Sequence, residues 1–299
     1  MTQPLAPQRY SSRLSVIGED TRVARALPHR ARRTVGAWCF LDHAGPVQFA
    51  PGKGMHVGAH PHIGLQTFTW LIEGEVVHRD SLGNEQVIRP GQVNLMTAGR
   101  GIAHTEDSVL DGTRLHAAQL WIALPEGERR REPAFQNHPD LPIVETGGFR
   151  ATVLAGSALG RTSPARVYTP LVGIDLDAAG AARTEVPLEP GFEHAALVLR
   201  GAATVGGEAL APGEWLYFAP GRSALELRCD APAHLLLVGG EPMDEPVLIW
   251  WNFVARTQDE MQAALDDWNA GRFAAVRAGS PAAPLVAPTL SGVQLRSGA

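Results

Sequence analysis

From Leu65 onward the chain reads as a succession of short extended segments. Thr67-Phe68-Thr69-Trp70-Leu71-Ile72 is β-branched and aromatic, and Glu73-Gly74-Glu75 turns it back into Val76–Asp80. Gln86–Ile88, Val93–Met96 and Arg114–Leu124 follow, separated by Ser81–Asn84, Pro90-Gly91 and a Gly-rich bend over Thr97–Gly101. A second series begins at Phe149–Leu154 and runs through Glu193–Leu199, Gly201–Val205, Glu214–Phe218, Ala224–Arg228 and His234–Val238. Short strands at close spacing, punctuated by Gly and Pro, predict an all-β barrel or sandwich. Residues 1–35 are polar, with weak alternation near Leu14–Ile17, and Asp42–Pro46 is expected to turn the apolar run Val35–Leu41.

The two series repeat one layout. Leu71-Ile72-Glu73-Gly74 matches Val198-Leu199-Arg200-Gly201, and Pro90-Gly91 matches Pro212-Gly213. This predicts two domains, residues 1–146 and 147–299. Only the tail has a helical period. Met261, Ala264, Leu265 and Trp268 fall at i, i+3, i+4 and i+7, Thr257 is a fair N-cap with Glu260 as its capping-box partner, and Gly271 is a fair stop. A helix is therefore expected over about 257–271, in the second domain, with a loosely ordered end from Gly279.

Composition narrows the class. Of 299 residues, 44% are hydrophobic and 19% charged, enough for a packed core throughout. The net charge of −5 suggests no nucleic-acid surface. The cluster Arg129-Arg130-Arg131 is short, flanked by glutamates and expected on a solvated loop. Two cysteines make no disulfide framework, no apolar run reaches the roughly 20 residues of a membrane helix, and the start lacks a signal-peptide pattern. A soluble cytoplasmic protein is expected.

The candidate chemistry lies between Gly54 and Glu106. His60-Pro61-His62 and His104-Thr105-Glu106 each place two donors at i and i+2, on one face of an extended strand. Two such strands side by side would bring three imidazoles and a carboxylate to one spot, a donor set for a divalent transition metal. Against this stands the reading of each histidine as buried and hydrogen-bonded. His56 and His116 are lone candidates for lining a pocket, and Phe68, Trp70 and Trp121 either floor a flat substrate or pack the core. His78 reads as a surface strand residue and His43 as structural. Carried through the repeat, His60, His62, His104 and Glu106 fall on Pro187, Glu189, Glu226 and Arg228, so no second metal is expected. His194 and His234 read as ordinary strand or edge residues.

Gly54, five residues, then His60-Pro61-His62 resembles the first cupin motif. The fuller set is similar to the pirin family: His60–Gly64, Leu71–Gly74, Met96-Thr97-Ala98-Gly99-Arg100-Gly101-Ile102-Ala103-His104-Thr105-Glu106, Gln119-Leu120-Trp121, Gly240-Glu241-Pro242 and the final helix. The resemblance implies an all-β bicupin: two double-stranded β-helix (jelly-roll) barrels with a short C-terminal helix. It implies one divalent metal in the first barrel, iron(II) foremost, with copper, nickel, manganese or zinc compatible. By motif the ligands are His60, His62, His104 and Glu106. It further implies a quercetinase-type dioxygenase taking a small aromatic or enolic substrate and O2, with Glu106 as catalytic base. The alternative is an iron-dependent, redox-responsive module for a protein partner; an isomerase of the same fold is a third reading. A monomer or weak dimer is expected, with no direct nucleic-acid or membrane contact. Two departures bear on substrate. Gln66 and Thr67 stand where general cupins carry a glutamate ligand, and Ala59 and Ile63 replace the Asp and Arg of many pirins.

Overall fold

Strands form where the sequence alternates, because branched and aromatic side chains suit a pleated surface buried on at least one face. The computed structural model describes residues 5–17, 21–110, 112–277 and 279–297. They divide into two units that interleave along the chain. One holds Met1–Arg13, Ala24–Leu41 and Asp140–Met243; the other holds Leu14–Val23, Asp42–Pro139 and Asp244–Ala299.

The unit containing residues 140–243 has a seven-stranded sheet in the order Gln8–Ser11, Glu214–Phe218, Glu193–Arg200, Ala233–Gly240, Leu171–Ala178, Phe149–Ala155, Ile143–Thr146. Facing it is a four-stranded sheet ordered Ala182–Pro187, Ala224–Cys229, Ala203–Val205, Glu208–Leu210. Phe149, Leu176, Val186, Phe218 and Leu237 belong to the core of this unit.

The other unit repeats the plan. Its larger sheet runs Ala134–His138, Val93–Thr97, Leu65–Glu73, Arg114–Ala123, Trp38–Gln48, Thr21–Leu27, Arg13–Ile17. Its smaller sheet runs His56–His62, Ile102–Ser108, Val76–Asp80, Glu85–Ile88. The matched turn glycines Gly91 and Gly213 have φ of 80° and 82°, so the repeat read from sequence extends to backbone conformation. Glu226, the position matched to His104, pairs with Arg183 at 2.8 Å in a half-exposed setting.

Several expectations need correction. Asp42–Pro46 is no turn: the strand Trp38–Gln48 runs through it, since Asp42, His43 and Ala44 are buried like the residues before them. The tail does not belong with residues 147–243. The helix Gln258–Asn269 buries Met261, Ala264 and Leu265 against Leu248 and Phe253, in the unit that holds residues 42–139. Burying such a side chain is worth about 1.5–3 kcal/mol. The Thr257 hydroxyl accepts from Glu260 N at 3.2 Å as the expected N-cap. The Glu260 carboxylate, however, accepts from Arg256 N at 3.1 Å rather than from Thr257 N, so the capping box is offset by one residue. Arg272 N and Gly271 N close the last turn on Asp267 O and Trp268 O. Arg129 is no solvated loop residue, because its guanidinium bonds Glu260 at 2.8 Å with a side chain only 11% exposed. The segment after Gly279 is packed as well. Leu285 N bonds Ala59 O at 2.9 Å, and Ala287 and Leu290 are buried.

Candidate metal centre

Three adjacent strands build the site. In the small sheet Ile102–Ser108 lies between His56–His62 and Val76–Asp80, with His104 opposite His60 on one side and Asp80 on the other. His60, His62 and His104 are buried, and one ring nitrogen from each lies within 4.8 Å of the other two. The pairwise ring centroids are 5.1, 4.3 and 5.0 Å apart.

Hydrogen bonds decide which nitrogen each ring presents. His60 Nδ1 donates to Gly58 O and His62 Nδ1 to Asn252 O, both at 2.8 Å. A neutral imidazole carries one N–H, so Nε2 of both rings holds a lone pair. His104 Nδ1 meets His78 Nδ1 at 3.2 Å, and His78 Nε2 reaches Asp80 Oδ2 at 3.3 Å. The carboxylate requires the His78 proton on Nε2. His78 Nδ1 is then an acceptor, His104 donates from Nδ1, and its Nε2 is also bare. His62 Nε2 and His104 Nε2 stand 3.0 Å apart. Two lone pairs at that distance repel unless a cation or proton lies between them. Two donors each about 2.1 Å from one ion, at a right angle, would have this separation. The three imidazoles therefore fit a metal.

Electrostatics agree. Burial holds His60 at about 4, against the Gly58 carbonyl, which raises it. Burial and then the neighbouring imidazoles hold His62 and His104 well below the ordinary histidine value. All three are neutral at pH 7, the state in which imidazole ligates. Glu106 shares the strand face of His104 and stands opposite His78. It lies beside the three-histidine set rather than within it. Burial pushes its carboxyl up, opposed by a hydrogen bond with the Thr69 hydroxyl. Thr69 Oγ1 also lies 2.8 Å from Gln119 Oε1.

An irregular register shapes the site. Between His104 and Glu106 the facing strand advances from His60 to Val57, three residues against two, so a bulge falls at Gly58–Ala59. A side chain at Gly58 would put its Cβ 1.9 Å from Ala283 O, so only glycine lets the tail pass there.

The bulge and the strand period correct the expected pocket. His56 has the parity of His60 and His62, but the bulge turns it to the opposite face, where it pairs with Asp107 at 3.0 Å. Trp121 stands edge-on to His62 at 5.2 Å. Its register partner is Thr67, and Gln119 pairs with Thr69, so the odd-numbered positions of these strands face the histidines. Phe68 and Trp70 alternate with them and point to the other face of the sheet. His116, between the core residues Leu115 and Ala117, does the same and meets His43 Nε2 at 2.8 Å. Of the five expected pocket residues, Trp121 alone faces the cluster. His78 is no surface residue, being 1% exposed and bonded to His104. His194 and His234 are likewise buried, on central strands. The spacing His78-x-Asp80 repeats the i, i+2 signal and could have been read; Asn252 acts through its backbone and leaves no side-chain signal.

Comparison with known proteins identifies the family. The Pirin family model matches residues 20–122, and the Pirin C-terminal cupin domain matches residues 173–274. The chain belongs to the pirin family. It is 53% identical over 264 residues, 88% of this chain and 84% of the other, to a Pseudomonas aeruginosa protein named "Putative quercetin 2,3-dioxygenase". It is 41% identical to a pirin-like protein of Caulobacter vibrioides over 84% of this chain and 89% of that one. A crystal structure of quercetin 2,3-dioxygenase from Acinetobacter baumannii superposes with a TM-score of 0.94 at 49% identity, covering 98% of both chains. The bicupin architecture of this pirin is thus shared with solved relatives.

Proposed function

We propose that this pirin is a metal-dependent dioxygenase of the quercetinase type, opening flavonol-like enols with O2. The observation that carries the reading is the convergence of three bare Nε2 atoms beside a proton-accepting carboxyl group. The names of the Pseudomonas and Acinetobacter relatives point the same way. His60, His62 and His104 would hold one divalent ion, iron(II) first, with Glu106 beside them. Such an ion supplies a Lewis-acidic, redox-active centre with positions left open for substrate and O2.

The chain's own residues do the rest. Glu106, whose burial raises its affinity for a proton, accepts the enol proton of the substrate. Thr69, on the facing strand, is a hydrogen-bond partner of that carboxyl. Trp121 offers an aromatic edge beside His62, against which a flat ring can rest. Asn252 and Gly58 keep the His62 and His60 rings from rotating through their hydrogen bonds. Among the described residues no helix is long and apolar enough to cross a membrane. We place the protein in the cytoplasm, consistent with buried Cys39 and Cys229 that form no disulfide.

The test is to add quercetin anaerobically to protein loaded with iron(II), then admit O2. The visible band of quercetin should bleach over many turnovers. Glu106→Gln should slow this by about 100-fold or more while metal content persists. No bleaching at full loading with iron, copper, nickel or manganese would overturn the assignment.

A further inference from the structure

The three imidazoles of the cluster are not braced alike. His60 and His62 each lean on a neutral backbone carbonyl. His104 leans on a second imidazole, His78, which itself leans on a carboxylate, Asp80. His78 and Asp80 are 1% and 2% exposed, so water does not take their place in the chain. The His78 ring is held in plane by Phe135, stacked at 4.7 Å with 21° between planes. Asp80 is clamped in turn. Its Oδ1 accepts from Leu82 N at 2.9 Å and Asn84 N at 3.1 Å, and Asn84 Nδ2 reaches its Oδ2 at 2.9 Å. Burying a carboxylate and two imidazoles is costly unless each is bonded, and here Asp80, His78 and His104 are bonded in series.

We propose that His78, backed by Asp80, is a positioning residue for the metal centre: it fixes the tautomer of His104 and makes it the strongest imidazole donor of the three. This rests on the metal reading above and adds residues which that reading does not need. The physical reason is directional. Negative charge on Asp80 polarises the His78 N–H, which makes His78 Nδ1 a better acceptor. The His104 N–H is polarised in turn, and electron density rises at His104 Nε2. A richer donor favours the more highly charged state of a redox-active ion, so the chain lowers the ion's reduction potential. Because His78 also stands opposite Glu106, both motif donors of the strand Ile102–Ser108 border this one ring.

Three variants separate positioning from packing. His78→Phe keeps an aromatic ring on Phe135 but removes the acceptor. His78→Gln restores a neutral acceptor for His104 Nδ1 without the link to Asp80. Asp80→Asn keeps His78 and removes the charge. Cobalt(II) affinity is measured by chelator competition, the cobalt absorption spectrum is recorded, and the potential is read by redox titration of iron-loaded protein. The metal-free thermal midpoint reports folding. The expected result is a ~10- to 100-fold loss of affinity in His78→Phe, largely recovered in His78→Gln. Asp80→Asn and His78→Gln should share a raised potential and a shifted cobalt spectrum. Wild-type affinity, spectrum and potential in both His78→Phe and Asp80→Asn would overturn the role of His78 and leave the metal centre standing. Failure of the unaltered protein to bind cobalt or iron would overturn both.

Discussion

A side chain at Gly64 would place its Cβ 2.1 Å from the carbonyl oxygen of Val254. Gly64 has φ of +69°, and its neighbour Ile63 bonds Val254 N at 3.2 Å. The hairpin from Leu248 to Ala255 is thereby seated beside His62, and its turn residue Asn252 supplies the acceptor for His62 Nδ1. Gly64→Ala should therefore do two things. It should lower stability by about 1–3 kcal/mol, from the left-handed backbone and the clash. It should also weaken metal binding, because the hairpin must shift. Urea midpoints and chelator competition check this; a lowered midpoint with unchanged affinity would refute the link to His62.

Trp121 tests the substrate side without touching a ligand atom. Trp121→Leu removes the ring at 5.2 Å from His62 but keeps an apolar filler. Metal content should be unchanged, and KM for a flavonol should rise about 3- to 10-fold. An unchanged KM would place the substrate elsewhere in the barrel.

His194 gives the second unit a pH dependence. It is buried at 1% exposure, and neither ring nitrogen has a well-formed hydrogen bond. Burial holds it at about 4, against the Phe192 carbonyl, which raises it. The unfolded chain binds this proton near the ordinary histidine value of 6.5, the folded chain only near 4. Stability is full above pH 6.5 and falls as pH drops from there toward 4. The loss at pH 5 is about 2 kcal/mol. His194→Leu should flatten that part of the profile, measured as urea midpoints at pH 7 and pH 5.

Glu260 acts lower on the scale. Burial works against its charge, but hydrogen bonds from Arg130, the Arg256 backbone and Arg129 outweigh it and hold the carboxyl at about 2. Its folded value lies below its unfolded one, so its contribution is complete above about pH 4.5 and disappears as pH falls toward 2. Solvent reaches the pairs, so about 1 kcal/mol is expected. Glu260→Gln should lower the thermal midpoint at pH 7 and leave it unchanged near pH 2.

Much of the site was legible because a strand's side-chain period is fixed. Two i, i+2 pairs named the three converging histidines, and the glycine-punctuated strands gave two barrels of one plan. The errors came from what a period cannot express. One extra residue at Gly58–Ala59 inverted His56. Whether Phe68 and Trp70 floor a pocket or pack the core is decided only by the pairing of Trp121 with Thr67, which fixes the parity that faces the histidines. In sequence alone His78, between Val77 and Arg79, resembles a surface strand residue, although its partner Asp80 sits at the same spacing. The tail helix is legible from its apolar stripe and its Thr257 N-cap. A stripe says that a face is covered, not by what, and the helix packs with residues 42–139.

His62 takes its orientation from a carbonyl 190 residues further along the chain. While the polypeptide is being made, all three histidines leave the ribosome long before Asn252 exists. The first barrel can collapse by then, but one of its imidazoles still lacks its brace. The fully braced set of three imidazoles thus belongs to the finished chain, and nascent fragments present it incomplete.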